Sequence, residues 1–142
     1  MEQGGSRRFL VPADDPCFDS GIDIQPDHIY RFIVKGQWID LRPPAIGPEG
    51  DRNPGGVRAL AGWAKRLPDA PWMALLMRTK GMAGTSGWHL LGKGGTLQST
   101  LPPGRLQLCA NDVLGFYFNN KGAMDVTVID VTGQGQLGVA GD

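Results

Sequence analysis

Apolar and polar residues alternate along most of this chain with the period of two that marks half-buried strands, and only one stretch shifts to a helical spacing. Arg8-Phe9-Leu10-Val11 predicts a first short strand, and Pro12-Ala13-Asp14-Asp15-Pro16 a loop. Ser20-Gly21-Ile22-Asp23-Ile24 alternates cleanly, Gln25-Pro26-Asp27 has turn chemistry, and Ile29-Tyr30-Arg31-Phe32-Ile33-Val34 runs on to Lys35-Gly36, which together predict a β-hairpin. Trp38-Ile39-Asp40-Leu41 predicts another strand. From Arg42 to Gly56 the chain holds four prolines and four glycines, which predicts a long ordered loop of the kind that often carries function. Val57 to Arg66 is the one helix-like piece, with Leu60, Trp63 and Ala64 at i, i+3 and i+4, and it is expected to pack on a sheet. Pro71-Trp72-Met73-Ala74-Leu75-Leu76-Met77-Arg78 is a continuous apolar run that suits a buried central strand. After a turn at Gly81-Met82-Ala83-Gly84, further strands are predicted at Trp88 to Leu91, Thr96 to Ser99, Arg105 to Ala110 and Met124 to Val131. The fold class that results is all-β, a β-sandwich or jelly roll of about nine short strands with one short helix.

Composition agrees with that class. The 142 residues include 22 Gly and 11 Pro, which imply many turns and short elements, and the length suits a single domain over residues 1–142. Formal net charge is zero, with no basic run and no stripe of interleaved aromatic and basic residues, so a nucleic-acid partner is not expected. No apolar stretch is long enough to span a membrane, and Met1 to Arg8 lacks the apolar segment of a secretory signal. Cytoplasmic synthesis follows as the expectation, with lysis or a nonclassical route for any release. Cys17 and Cys109 lie far apart without metal-type spacing, and the expectation is free, partly buried thiols. The glycine-rich tail from Thr132 to Asp142 is expected to be mobile or an oligomer contact.

Little in the sequence suggests catalysis. His28 sits at a turn edge and is expected to be solvated, whereas His89 in an apolar run reads as a hydrogen-bonded core residue. Gly92-Lys93-Gly94-Gly95 lacks the spacing of a phosphate loop and reads as a hairpin turn. Asp14, Asp15, Asp19 and Asp23 read as solvated loop and strand edges. The protein is therefore not expected to be an enzyme.

The most informative stretch is Asn111-Asp112-Val113-Leu114-Gly115-Phe116-Tyr117-Phe118-Asn119-Asn120-Lys121-Gly122. Calcium takes about six to eight oxygen ligands from carboxylates, amides, backbone carbonyls and water, and Asp112, Asn119 and Asn120 offer one carboxylate and two amide oxygens on one loop. Taken locally, Asn, Asp and Gly are also the residues of tight turns, so residue type alone leaves both a turn and a hard-cation site open. One of Phe116 and Tyr117 is expected to belong to the core.

The full spacing resembles the calcium loop of the LecA-type galactose-binding bacterial lectins, N-D-V-P-G-x-Y-x-N-N-x-G, with Leu114 in place of the proline. Fainter matches lie at Gly36-Gln37-Trp38, at Gly47-Pro48-Glu49-Gly50-Asp51-Arg52 and along the strand after Lys121-Gly122. What the resemblance implies is a Ca2+ ion held by Asp112, Asn119, Asn120, the Phe116 carbonyl and an upstream carbonyl, at Leu41 or alternatively Asp40. Vicinal hydroxyls of a galactoside-like or other diol-bearing sugar complete the shell, contacting Asp112 and Asn119. The proline-glycine loop is placed beside the calcium loop, which makes Asp51, Arg52 and Asn53 further sugar-binding candidates; Asn53-Pro54-Gly55-Gly56 stands where the family has a sugar-touching histidine. A homo-oligomer is also implied, because multivalency makes weak single-site affinities useful. The alternative reading is a β-sandwich assembly or protein-interaction module that has lost sugar binding.

Overall fold

The structure, a computed structural model, describes residues 4–52, 54, 61–98 and 101–133. Among the described residues nine strands appear in chain order: β1 (Ser6–Pro12), β2 (Phe18–Ile24), β3 (Ile29–Asp40), β4 (Leu75–Gly81), β5 (Gly84–Thr85), β6 (His89–Leu90), β7 (Gly94–Gln98), β8 (Gly104–Ala110) and β9 (Asn120–Asp130). They form two antiparallel sheets, one ordered β1-β9-β3-β7 and the other β2-β8-β4-β5, with β6 also pairing β4. The all-β sandwich expected from the alternating pattern is what the chain forms. Alternate side chains point inward: Ile22 and Ile24 from β2, Tyr30 and Phe32 from β3, Leu106 and Leu108 from β8, and Met124, Val126 and Val128 from β9 share one buried cluster.

The strand count agrees with the expectation, but the elements are not all the same. The predicted β2–β3 hairpin does not form: β2 pairs β8 in one sheet, while β3 pairs β7 and β9 in the other. Both strands carry inward apolar residues that meet across the core, so the connection at Gln25–Asp27 arches between sheets instead of folding one strand onto its neighbour. Tyr30 fastens that arch by accepting the Gln25 N–H on its hydroxyl at 2.9 Å. The two strands predicted on either side of Lys35-Gly36 are one, because β9 pairs continuously from Tyr30↔Asp130 to Asp40↔Asn120. Gly36 bends within that ladder, at φ +112°, where a Cβ would lie 3.2 Å from the Ala123 carbonyl.

The apolar run from Pro71 enters β4 only at Leu75. Before it, Met73 has φ +59°, and its carbonyl accepts the Trp38 indole N–H at 2.7 Å, so Trp72 and Met73 are buried without being strand. The strand instead runs through to Gly81 and turns back as the two-residue β5. Of the expected helix, residues 57–60 lie outside the described residues, and the remainder is a 3₁₀ turn at Gly62–Ala64. Trp63 there is 80% exposed and does not pack on a sheet. No helix among the described residues is long and apolar enough to cross a membrane.

His28 is not solvated as expected, since its Nδ1 lies 2.6 Å from the Asp130 carboxylate, and His89 is exposed on β6 where a core position was expected. Asp19 and Asp23 edge β2 and pair with Arg105. Burial alone would raise the Asp130 carboxyl, but hydrogen bonds from Thr132 and His28 outweigh it and hold the group below the ordinary carboxylate range. A depressed folded-state value contributes stability above the unfolded value, and that contribution is lost as pH falls. Asp130→Asn is therefore expected to lower the thermal midpoint at neutral pH and to lose less than the parent between about pH 5 and pH 3. Midpoints measured across that window check it, and an equal acid loss in both proteins would contradict it.

Candidate functional site

The β3–β9 ladder ends at Asp40↔Asn120, β8 ends at Ala110, and the loop from Asn111 to Asn119 joins β8 to β9 at that same end of the sandwich. The sheet registers therefore bring the end of β3, the loop and the start of β9 together. A cavity of about 330 Å³ opens there, lined by Asp40, Leu41, Ala61, Ala64, Asp112, Val113, Phe116 and Asn119. Four of the five residues expected around a cation, Leu41, Asp112, Phe116 and Asn119, line this one space. Asn120 joins them through Asp112.

Asp112 is buried, with Oδ1 accepting the Val113 N–H at 2.7 Å and Oδ2 accepting from Asn120 Nδ2 at 3.0 Å. Asn120 Nδ2 also donates to the Ala13 carbonyl at 3.0 Å. Both of its partners are acceptors, which fixes the amide nitrogen on that side and turns Oδ1 the other way. Oδ1 of Asn120 and Oδ1 of Asn119 are both buried without a hydrogen-bond partner; the only other such side-chain atom among the described residues is the Thr79 hydroxyl. Buried polar atoms are normally satisfied, so two unsatisfied amide oxygens beside a buried carboxylate call for a cause. A hard cation fits that donor set, since it takes amide, carboxylate and carbonyl oxygens together. Among the described residues no three His, Cys, Asp or Glu side chains gather as a metal cluster.

Leu41 follows β3 at φ +66°, a left-handed conformation that costs an L-residue about 1–2 kcal/mol, and its N–H donates to the Asn119 carbonyl at 3.1 Å. The strained backbone is thus pinned to the loop. With the side chain 59% exposed, what the site takes from Leu41 is its main chain. Leu41→Gly relieves the strain and loosens the unfolded chain by a similar amount, so the midpoint is expected to move by no more than about 1 kcal/mol equivalent. Any calcium response should be kept. Unfolding with and without calcium checks this, and loss of the response would show that the leucine side chain matters.

One of Phe116 and Tyr117 belongs to the core as expected, but not through strand alternation, since Tyr117–Asn119 is a 3₁₀ turn. Tyr117 is buried and donates its hydroxyl to the Ala110 carbonyl at 2.6 Å, and burial raises its pKa. Phe116, which lines the cavity, is exposed, as are Phe118, Leu114 and Trp63.

Asp51 and Arg52 are brought to a different place. They line a second cavity, of about 490 Å³, with Lys65, Asp69, Trp72 and neighbouring prolines. Ala61 and Ala64 face the first cavity while Gly62 and Lys65 face the second, so this short segment is a wall between the two. The Lys65 ammonium lies 5.4 Å from the Trp72 ring centroid and donates to the Ala70 carbonyl, and burial lowers its pKa. Asn53 lies outside the described residues.

Asp40, expected only as the alternative upstream carbonyl, lines the first cavity together with Leu41; its i, i+2 spacing from buried Trp38 is the signal that it also faces inward. Asn111, which the sequence marks only as the first residue of the loop, anchors the segment Leu67–Pro71 that follows the wall. It is fully buried, its Nδ2 faces the carbonyls of Leu67, Ala70 and Pro71, and its Oδ1 accepts the Leu67 N–H.

No protein-family model and no curated protein matches the chain. Among solved structures it is similar to one described as "EclA N-terminal domain; PllA-like lectin", at TM-score 0.58 and 17% identity, over 88% of this chain and 94% of that one. The likeness shows a shared lectin-like β-sandwich fold.

Proposed function

We propose that this chain is a calcium-dependent, carbohydrate-binding lectin of LecA type. The cation would be held by the side chains of Asp112, Asn119 and Asn120 and the carbonyls of Phe116 and Leu41. The observation that carries the reading is the pair of buried amide oxygens without partners, at Asn119 and Asn120, beside the Asp112 carboxylate. Bound calcium would supply coordination positions for the adjacent hydroxyls of a sugar. Asp112 and Asn119 accept and donate the hydrogen bonds that orient those hydroxyls, while Phe116 offers apolar surface to the C–H face of the ring. Asp51 and Arg52, beyond the Ala61–Lys65 wall, would touch only a ligand that extends past the first sugar. With few charged ligands the metal affinity is modest, and presentation of several sites in a homo-oligomer would raise avidity.

A glycan array probed with calcium and again with chelator tests the reading. Retention of diol-bearing glycans, galactosides among them, only when calcium is present is the expected result. Retention that ignores the chelator would contradict the mechanism, and retention of no glycan in either condition would favour an interaction module on the same scaffold.

A further inference from the structure

Cys17 and Cys109 are both free thiols, far apart in sequence. On the β2–β8 ladder Asp19 pairs with Gln107 and Phe18 with Leu108; Cys17 is a bend one residue before β2, and extending the register by one position brings it opposite Cys109. Directly opposed residues on antiparallel strands have Cα atoms about 4.5–5.5 Å apart, inside the range of about 4.4–6.8 Å that a disulfide spans. The side chains share a face as well. Inward residues of β8 are Leu106, Leu108 and Ala110, which leaves Gln107 and Cys109 on the outer side. Arg78 reports where the other sulfur sits: its Nε donates to Gln107 Oε1 at 2.8 Å, and its terminal nitrogen donates to Cys17 Sγ at 3.2 Å. One guanidinium thus bridges β8's outer face to Cys17.

We infer that Cys17 and Cys109 are a dithiol pair that a low-molecular-weight disulfide oxidises to a cross-strand disulfide, a modification site directly behind the Asp112 loop. The order of events follows from access. Cys17 is half-buried while Cys109 is fully buried, so the Cys17 thiolate attacks the oxidant, forming a mixed disulfide and releasing one small thiolate. Cys109 then gives up its proton and attacks the Cys17 sulfur, expelling the second small thiol. Two protein thiols lose two hydrogens and two electrons, and the oxidant is reduced to two thiols. Burial pushes the Cys109 thiol up to about 11, against a hydrogen bond from Tyr117 and the nearby charges of Arg66 and Arg78, so the second step is the slow one at neutral pH.

The bond would tie down a segment that supports the site. Ala13 holds Asn120 through its carbonyl, Pro16 accepts from Arg66, and Arg66 in turn donates its backbone N–H to the Asp112 carbonyl. The inference stands without calcium or sugar.

Refolding the reduced full chain from denaturant in a glutathione redox buffer tests it, because slow access to a buried thiol then cannot decide the outcome. The expected product is a chain without intermolecular disulfides in which both cysteines resist alkylation, a peptide map joins Cys17 to Cys109, and the thermal midpoint is raised by roughly 5–15 °C over the reduced protein. Cys109→Ser should instead stop at a glutathione adduct on Cys17, with no such rise. A parent protein that keeps two alkylatable thiols, stops at the Cys17 adduct or forms only intermolecular disulfides would overturn the inference.

Discussion

Asn111→Ala is expected to be among the most destabilising single changes in this protein. The segment Leu67–Pro71 has no strand or helix to satisfy its backbone, and Asn111 takes over that task with Nδ2 at 2.9 Å from Leu67 O, 3.1 Å from Ala70 O and 2.9 Å from Pro71 O, and Oδ1 at 3.0 Å from Leu67 N. Alanine would leave the buried Leu67 N–H without an acceptor and take one donor from each of the three carbonyls, which keep the Ala70 N–H, the Lys65 ammonium and the Ala74 N–H. With about 1–3 kcal/mol for the orphaned N–H and a further contribution from the hydrogen bonds the carbonyls lose, the loss is about 2–4 kcal/mol, or roughly 6–13 °C in midpoint for a chain of this length. Asn111→Asp keeps the acceptor for Leu67 but turns a carboxylate toward three carbonyls, so it should rescue nothing. Thermal unfolding of both variants checks the account, and a loss below about 1 kcal/mol in the alanine variant would show that Asn111 does not hold the Leu67–Pro71 segment.

Asp112→Ala is expected to abolish the calcium response altogether. If calcium binds the folded state alone, saturation to about a hundred times its dissociation constant stabilises the parent by about 2.7 kcal/mol, several degrees in midpoint, and the variant should show none of it. The change also removes the acceptor for the Val113 N–H and for Asn120 Nδ2, so the metal-free midpoint should fall by about 1–2 kcal/mol equivalent. Asp112→Asn separates the two effects by keeping the shape of the side chain while removing the charge. Asp125→Asn, which breaks an exposed pair with Arg8, is the control whose calcium response should equal the parent's. Sugar retention should disappear with the calcium response, because the sugar is proposed to be held through the metal. Retention of sugar by Asp112→Ala would refute that mechanism.

Much of the fold was legible because alternation reports burial directly: Ile22 and Ile24, Tyr30 and Phe32, and Val126 and Val128 all face the core as the pattern requires. Alternation says which face a residue takes but not which strand lies beside it. That is why the β2–β3 pair could be read as a hairpin when its two inward faces meet across the sandwich. Gly36 misled for a related reason, since glycine at a positive φ within a ladder has the same signature as glycine ending one. The run from Pro71 showed burial without its conformation, because the partners that hold Trp72 and Met73 off the strand are Asp51, Trp38 and Asn111, all distant in sequence.

The site divides along the same line. Asp112, Asn119 and Asn120 were legible because they lie on one loop at a fixed spacing. Asp40 depended on a register of β3 against β9, and the separation of Asp51 and Arg52 from the first cavity depended on a wall at Ala61–Lys65 that no local pattern announces. Nor could sequence show that the Asn119 and Asn120 amide oxygens are buried and unpaired, the feature on which the proposed cation site rests.

The most direct measurement is thermal unfolding of the parent after exhaustive chelation, with calcium, magnesium or no metal restored and a panel of simple sugars added to each. The account predicts a selective rise in midpoint with calcium, and a further rise with a diol-bearing sugar only when calcium is present. An unchanged midpoint at saturating calcium would contradict it.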